Sequence, residues 1–148
     1  MLAANQRRLS AIARSYARGD EHRDLLQEIL LQLWRSLDRF EGRSSLDTWA
    51  YRVALNTAIV WRRKVRLEPR DQDRTAGAED SPVPSGPRDE LVILDEFVAG
   101  LGPADKAIFV LYLEDLTYRQ IADVTGLTES HVGVKLHRLK RAFVESYL

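Results

Sequence analysis

Apolar residues recur along this chain at helical spacing and nowhere alternate as in a strand, so the pattern predicts an all-α protein. Residues 5–18 place Leu9, Ile12, Ala13 and Tyr16 on one side, with Arg7, Arg8, Arg14 and Arg18 mostly opposite, and Gly19-Asp20 stops the helix. Residues 21–37 carry Leu26, Leu30, Leu33 and Leu37 as a stripe that Leu25, Ile29 and Trp34 widen. A polar turn, Phe40 to Ser45, follows, in which Ser44 or Ser45 can cap the next helix. That helix, 47–64, turns Trp49, Ala50, Val53, Ala54 and Val60 or Trp61 inward. The periodicity puts Trp34 and Trp49 in a core and leaves Trp61 undecided.

From 67 to 88 the composition changes. Pro69, Pro82, Pro84, Pro87, Gly77 and Gly86 sit among many charged residues, which cannot support a core. This predicts a flexible acidic linker between two small helical domains, 1–66 and 89–148. Beyond it, Leu91, Leu94, Val98 and Leu101 form one helix, stopped by Gly100, Gly102 and Pro103. Ala104 to Leu113 forms another, with Ala107, Ile108, Leu111 and Tyr112 inward.

The stretch from Leu116 to Phe143 reads as two helices joined by a tight turn. Thr117 stands at an N-cap with Gln120 three residues on, the capping-box spacing. Gly126 ends the first helix at a position that suits left-handed backbone. Thr128 caps the second, with Glu129 in its first turn. Val132, Leu136, Leu139 and Phe143 make a single apolar stripe, while His131, Lys135, His137, Arg138, Lys140 and Arg141 occupy the other faces. This is the helix-turn-helix pattern. An ordinary hairpin with solvated charges is the alternative; the paired caps, turn glycine and one-sided basic face together favour DNA.

Charge sharpens the picture only when it is divided along the chain. The total is zero, with 22 basic and 22 acidic residues. Yet residues 1–66 hold 13 basic against 7 acidic side chains, residues 67–102 hold 3 against 9, and residues 103–148 hold 6 against 6. A basic block is what polyanion binding requires. Without cysteine there is neither a disulfide framework nor a thiolate metal site. The chain contains no apolar run of membrane-span length and no apolar signal-peptide core at its N-terminus, so the expectation is a soluble, cytoplasmic protein without membrane insertion.

With these residues in view, the block DLLQEILLQLWRSLDRFEGRSSLDTWAYRVALNTAIVWRRK, a proline-rich gap, then LGPADKAIFVLYLEDLTYRQIADVTGL and LHRLKRA resemble an extracytoplasmic-function (ECF) sigma factor of bacterial RNA polymerase. The two blocks match in the family's order and cover most of the chain. The resemblance implies a region 2-like domain that binds core polymerase and the −10 element, and a region 4-like domain for the −35 element. It implies docking on the β′ clamp through Asp24, Leu25, Gln27 and Glu28, and further contact with the β flap. It implies a −10 set in Phe40, Arg43, Ser44, Ser45, Trp49, Arg52 and Asn56, with Arg62, Arg63, Lys64 and Arg66 along phosphates. Asn56 offers donor and acceptor together, which suits a base edge, and Trp49 reads as mostly structural, lining the pocket.

For the −35 element the resemblance puts Thr128, Glu129, Ser130, His131 and Lys135 toward bases, and Tyr118, Arg119, Gln120, Arg138 and Arg141 on phosphates. It also implies an anti-sigma factor as a regulatory partner. In two respects the chain departs from the family. Gly133-Val134 stands where relatives carry a basic and a small polar residue, which leaves the base preference open. The first helix also starts later than is usual for the family.

The competing function is a stand-alone helix-turn-helix regulator with an N-terminal sensing or dimerisation domain. The basic, Trp-bearing helix 47–66 beside the acidic 24–28 motif argues against it. An enzyme has little support: His22, Asp24 and Glu28 lack conventional metal spacing, and there is no phosphate-binding glycine loop. No catalytic residue, metal or cofactor is expected.

Overall fold

The computed structural model describes residues 2–67 and 90–147, with side chains from Asn5 to Val65 and from Glu90 onward. The stretch read as a linker lies outside the described residues, apart from the backbone of Leu67, and so does the side chain of Arg66. All regular structure among the described residues is helical.

The first group of helices is α1 (Leu2–Tyr16), α2 (Glu21–Ser36), a 3-10 turn (Leu37–Arg39) and α3 (Leu46–Leu67). Gly19, at φ 58°, turns the chain from α1 into α2. Helix α1 buries the expected Leu9, Ile12, Ala13 and Tyr16.

Helix α2 corrects the sequence reading. Its buried edge is Leu25 and Ile29, with Leu26 and Leu33 partly covered. Leu30 and Leu37 are each 48% exposed, Leu31 is 46% exposed, and Trp34, expected in the core, is 77% exposed. The apolar arc is wider than α1 and α3 can cover, and periodicity alone does not say which part of a wide arc faces its neighbours.

Ser45 is the cap of α3. Its Oγ accepts from the Thr48 amide at 3.1 Å and donates to Thr48 Oγ1 at 2.9 Å. The helix buries Tyr51, Ala54, Leu55 and Ala58, with Ile59 and Trp61 packed at the margin; Val60 is turned outward.

The second group is α4 (Glu90–Ala99), α5 (Pro103–Leu113), α6 (Tyr118–Thr125) and α7 (Glu129–Tyr147). Pro103 opens α5, where its missing N–H costs nothing. Phe97 meets Phe109, Phe143 and Tyr147 edge-on, with ring centroids 5.5, 5.3 and 6.3 Å away.

Helix α5 is buried on every side from Lys106 to Leu111, wider than the single inward face expected. It packs against α1 as well as against α4, α6 and α7, so one apolar core runs through both groups. A segment apolar all round, AIFVLYL, suits a helix enclosed on all sides. Polar contacts tie the same seam. Tyr16 Oη donates to the Pro103 carbonyl at 2.8 Å, and Arg8 Nε donates to the Glu114 carbonyl at 3.3 Å. Arg8 Nη1 also donates to Tyr51 Oη at 3.1 Å, which in turn donates to Asn5 Oδ1 at 2.8 Å. Lys106, only 6% exposed, places its Nζ 5.0 Å from the Tyr16 ring centroid. Burial pushes the Tyr16 hydroxyl well above the usual tyrosine range, keeping it a neutral donor.

A shared core makes the two groups unfold together. All three tryptophans, Trp34, Trp49 and Trp61, lie in the first group, so their fluorescence reports it alone, whereas far-UV circular dichroism reports every helix. The two probes should give coincident urea transitions. Ile108→Ala, in α5, should lower stability by about 2–4 kcal/mol in both signals. A shift confined to circular dichroism would mean that the seam does not couple the groups.

Candidate nucleic-acid interface

The helix-turn-helix is built by the expected local devices. Thr117 Oγ1 accepts from the Gln120 amide at 3.1 Å while Gln120 Oε1 accepts from the Thr117 amide at 2.8 Å, a reciprocal capping box. Gly126 closes α6 at φ 82°, and its amide reaches the Ala122 carbonyl at 2.8 Å. Thr128 Oγ1 accepts from the His131 amide at 3.1 Å and starts α7. With Val132, Leu136 and Leu139 buried, the first turn of α7 exposes Thr128, Glu129, Ser130 and His131 together. Arg119 and Arg138 are exposed as well.

Several members of that set have partners within the chain. Lys135 Nζ bonds to Asp105 Oδ1 on α5 at 3.1 Å, so it stands half-buried rather than free toward a base. Arg141 pairs with Glu145 at 3.2 Å on an exposed surface, where such pairs are exchanged readily. Gln120 spends its amide oxygen on the cap. The Tyr118 ring lies over Gly133, where a Cβ would meet Cε2 at 3.5 Å. Lys140 Nζ stands 4.3 Å from the Tyr112 centroid, and Tyr112 raises its pKa. The glycine therefore faces Tyr118 within the hairpin.

On the first group, Phe40 stacks at a tilt on Trp49, centroids 5.4 Å apart, which fixes the loop against α3 and makes Trp49 half-buried. Gly42 takes φ 75°, and Arg43 pairs with Glu41 at 3.0 Å on the surface. Ser44 Oγ donates to the Ser45 carbonyl at 3.2 Å; the Ser45 hydroxyl is engaged with Thr48, so it serves as cap rather than as a free contact. Arg52 is exposed but reaches α6: its Nε donates to the Asp123 carbonyl at 2.9 Å, and Nη2 donates to the same oxygen. Asn56, one turn on, is exposed, as are Arg63 and Lys64; Arg62 is half-buried.

A groove of about 490 Å³ opens between α2 and α3, lined by Glu28, Gln32, Asn56, Thr57, Val60, Trp61 and Lys64. It joins Asn56 and Lys64 to Glu28, which the sequence had assigned to a different task. Gln32, Thr57 and Trp61 were not among the expected site residues. Gln32 Nε2 donates to Glu28 Oε1 at 2.9 Å, an i,i+4 pair that orients both. That spacing was visible in the sequence; the approach of α3 was not. Of the docking set, Asp24 and Gln27 are exposed and Glu28 is half-buried. Leu25 is 0% exposed and belongs to the core, because the α2 arc turns that edge inward. Among the described residues no group of three or more His, Cys, Asp or Glu is placed to hold a metal, and no helix is long and apolar enough to cross a membrane.

Comparison with known proteins agrees with this architecture. The family model for sigma-70 region 2 matches residues 1–68, and that for sigma-70 region 4 matches residues 91–143. The ECF RNA polymerase sigma-E factor of Haemophilus influenzae is 26% identical over 96% of this chain and 81% of its own length. RNA polymerase sigma factor YlaC of Bacillus subtilis is 28% identical over 80% of this chain and 72% of its own. In fold, the sigma factor RpoE of Bartonella quintana, solved with the anti-sigma factor NepR, superposes with a TM-score of 0.67 at 20% identity, covering 97% of this chain and 92% of that one. A region 2 followed by a region 4, each on its own set of helices, defines a sigma factor of the sigma-70 type. This chain belongs to its ECF family, and it acts by binding core RNA polymerase and directing initiation at promoters.

Because Gly133 faces Tyr118 at ordinary contact distance, Gly133→Ala should stabilise the protein by about 0.5–1 kcal/mol through helix propensity. The −35 preference should stay unchanged in a promoter-library selection. An altered preference would place the glycine at the DNA.

Proposed function

We propose that the two promoter grips are residues 1–66, on polymerase and the −10 element, and residues 89–148, on the −35 element, with 67–88 as the linker. The observation that carries the −10 assignment is the groove beneath Asn56. An amide with donor and acceptor, the indole of Trp61 and the ammonium of Lys64 converge there. A displaced base needs an edge partner, a stacking partner and a phosphate partner, in that order of position. Phe40, Trp49, Arg43 and Ser44 form the adjoining loop surface, while Arg52, Arg62 and Arg63 extend the positive face along the strand.

The −35 grip is the exposed first turn of α7, Thr128 to His131, entering a major groove, with Arg119 and Arg138 setting register on phosphates. Lys135 joins it once Asp105 releases its ammonium. For polymerase, the outer face of α2 supplies Asp24, Gln27 and Glu28 beside the exposed Leu30, Leu31 and Trp34. Carboxylates flanking uncovered apolar surface suit a basic helical partner such as the β′ clamp. The protein works in the cytoplasm with polymerase and has no catalysis of its own. The complex of B. quintana RpoE with NepR supports an anti-sigma factor as a further partner.

Run-off transcription with core polymerase and this chain should begin at a specific promoter. Asn56→Ala should cut open-complex formation about tenfold, the scale of one base contact, while binding to core stays within twofold. Loss of core binding instead would reassign that face. Lys64→Ala should lower the slope of log affinity against log salt by about one on promoter DNA. An unchanged slope would take Lys64 off the phosphates.

A further inference from the structure

We infer that Val134 is a specificity residue of the −35 grip and reads the 5-methyl group of a thymine in the major groove. The inference rests on the assignment of α7 to the −35 element, and it names a feature of that element which the helix selects.

The position of Val134 on α7 places it for this task. Each residue advances an α-helix by about 100°, so Val134 stands about 200° from both Val132 and Leu136. Those two side chains are fully buried, whereas Val134, on the opposite side of the helix, is 50% exposed. It belongs neither to the core nor to the partly covered residues at the margin of the core. Ser130 lies one turn before it, and His137 and Arg138 lie one turn after it, all exposed on the same side.

The residues on either side of it in sequence are turned to partners within the chain. Gly133 faces the Tyr118 ring and has no side chain to offer, and Lys135 Nζ is held by Asp105 at 3.1 Å. Further along the outward face, Arg141 pairs with Glu145. The centre of that face is therefore an aliphatic side chain, set between a hydroxyl at 130 and a guanidinium at 138.

The major groove presents donors and acceptors at every base pair and one apolar group, the thymine 5-methyl. A valine side chain has no polar atom, so that methyl is the feature it can select. An amino or carbonyl edge pressed against it would lose water and gain no partner, which disfavours the other base pairs at the same position. Branching at Cβ leaves valine essentially one χ1 rotamer in a helix, so its methyl groups form a fixed surface and lose little entropy on contact. Ser130 and Arg138 flank the contact with groups suited to neighbouring base edges and phosphates.

The test pairs the methyl groups of the protein with the methyl group of the DNA. Core polymerase carrying the full chain is used to select promoters from a library. Each thymine of the recovered −35 element, on either strand, is then replaced by uracil, which removes the 5-methyl and nothing else. In competition with the unsubstituted promoter, one such uracil should weaken holoenzyme binding about threefold to fivefold, the scale of one buried methyl. Val134→Ala should reduce the cost of that uracil to less than about 1.5-fold, while Val134→Thr, which keeps one methyl, should retain a cost of about twofold. Alanine has the higher helix propensity, so Val134→Ala keeps the fold, and its binding to core polymerase should be unchanged. A −35 element without any A·T pair, the lack of a uracil-sensitive thymine, or a sensitivity that survives Val134→Ala overturns the inference. Weakened core binding by Val134→Ala gives the residue to a polymerase contact and overturns it as well. Selected promoters with no −35 signature would remove the −35 assignment itself, a failure seen before any uracil is introduced.

Discussion

The enclosure of α5 is the constraint on which the rest of this structure depends. Six consecutive residues, Lys106 to Leu111, are buried, and no single helical partner can cover a helix all the way round. Helices α4, α6 and α7 close part of the surface, and α1 closes the rest. The consequence is a buried lysine over a buried tyrosine ring, with the tyrosine hydroxyl held neutral and donating to the Pro103 carbonyl. A polar group that is buried must be paired, and here the pairing fixes how α1 and α5 cross.

The same packing sets the exposure of the side chains proposed to make contacts. Helix α2 gives its Leu25–Ile29 edge to the core, and that choice exposes Leu30, Leu31 and Trp34 beside Asp24 and Gln27. Helix α3 gives Tyr51, Ala54, Leu55 and Ala58 to the core, so Arg52 and Asn56 look outward, one toward α6 and one into the groove. In the second group, the buried stripe of α7 presents Thr128 to His131 as a unit, while Asp105 on α5 reaches up to hold Lys135. A sigma factor needs duplex-binding, single-strand-binding and polymerase-binding faces on few residues. The faces proposed for these tasks lie on different sides of the same helices.

Much of this was legible in the sequence because local signals agree with one another. The capping box at Thr117 and Gln120, the left-handed glycine at 126 and the Thr128 cap are short-range devices, and each forms as its spacing predicts. Residue types pointed to the contacts proposed here: an amide at 56, the cations from Arg62 to Lys64, and the acidic residues at 24 and 28. The misreadings share a cause. Leu30, Leu37 and Trp34, read on the buried side of α2, lie at the surface. In each case the sequence offered a side chain able to play either part, and the neighbour that decided was distant in sequence or on another face.

The sequence by itself determined the helices, their ends, the helix-turn-helix and the family, since these rest on periodicity, caps and motif order within a few turns of chain. The tertiary structure alone decided which edge of each wide apolar arc is buried, that Gln32 and Trp61 share a groove with Asn56, and that Arg52 meets the Asp123 carbonyl. Those outcomes depend on contacts between residues far apart along the chain, such as the 71 positions separating Arg52 from Asp123. No local pattern encodes such a pairing; it exists only once an enclosed helix draws the two groups together.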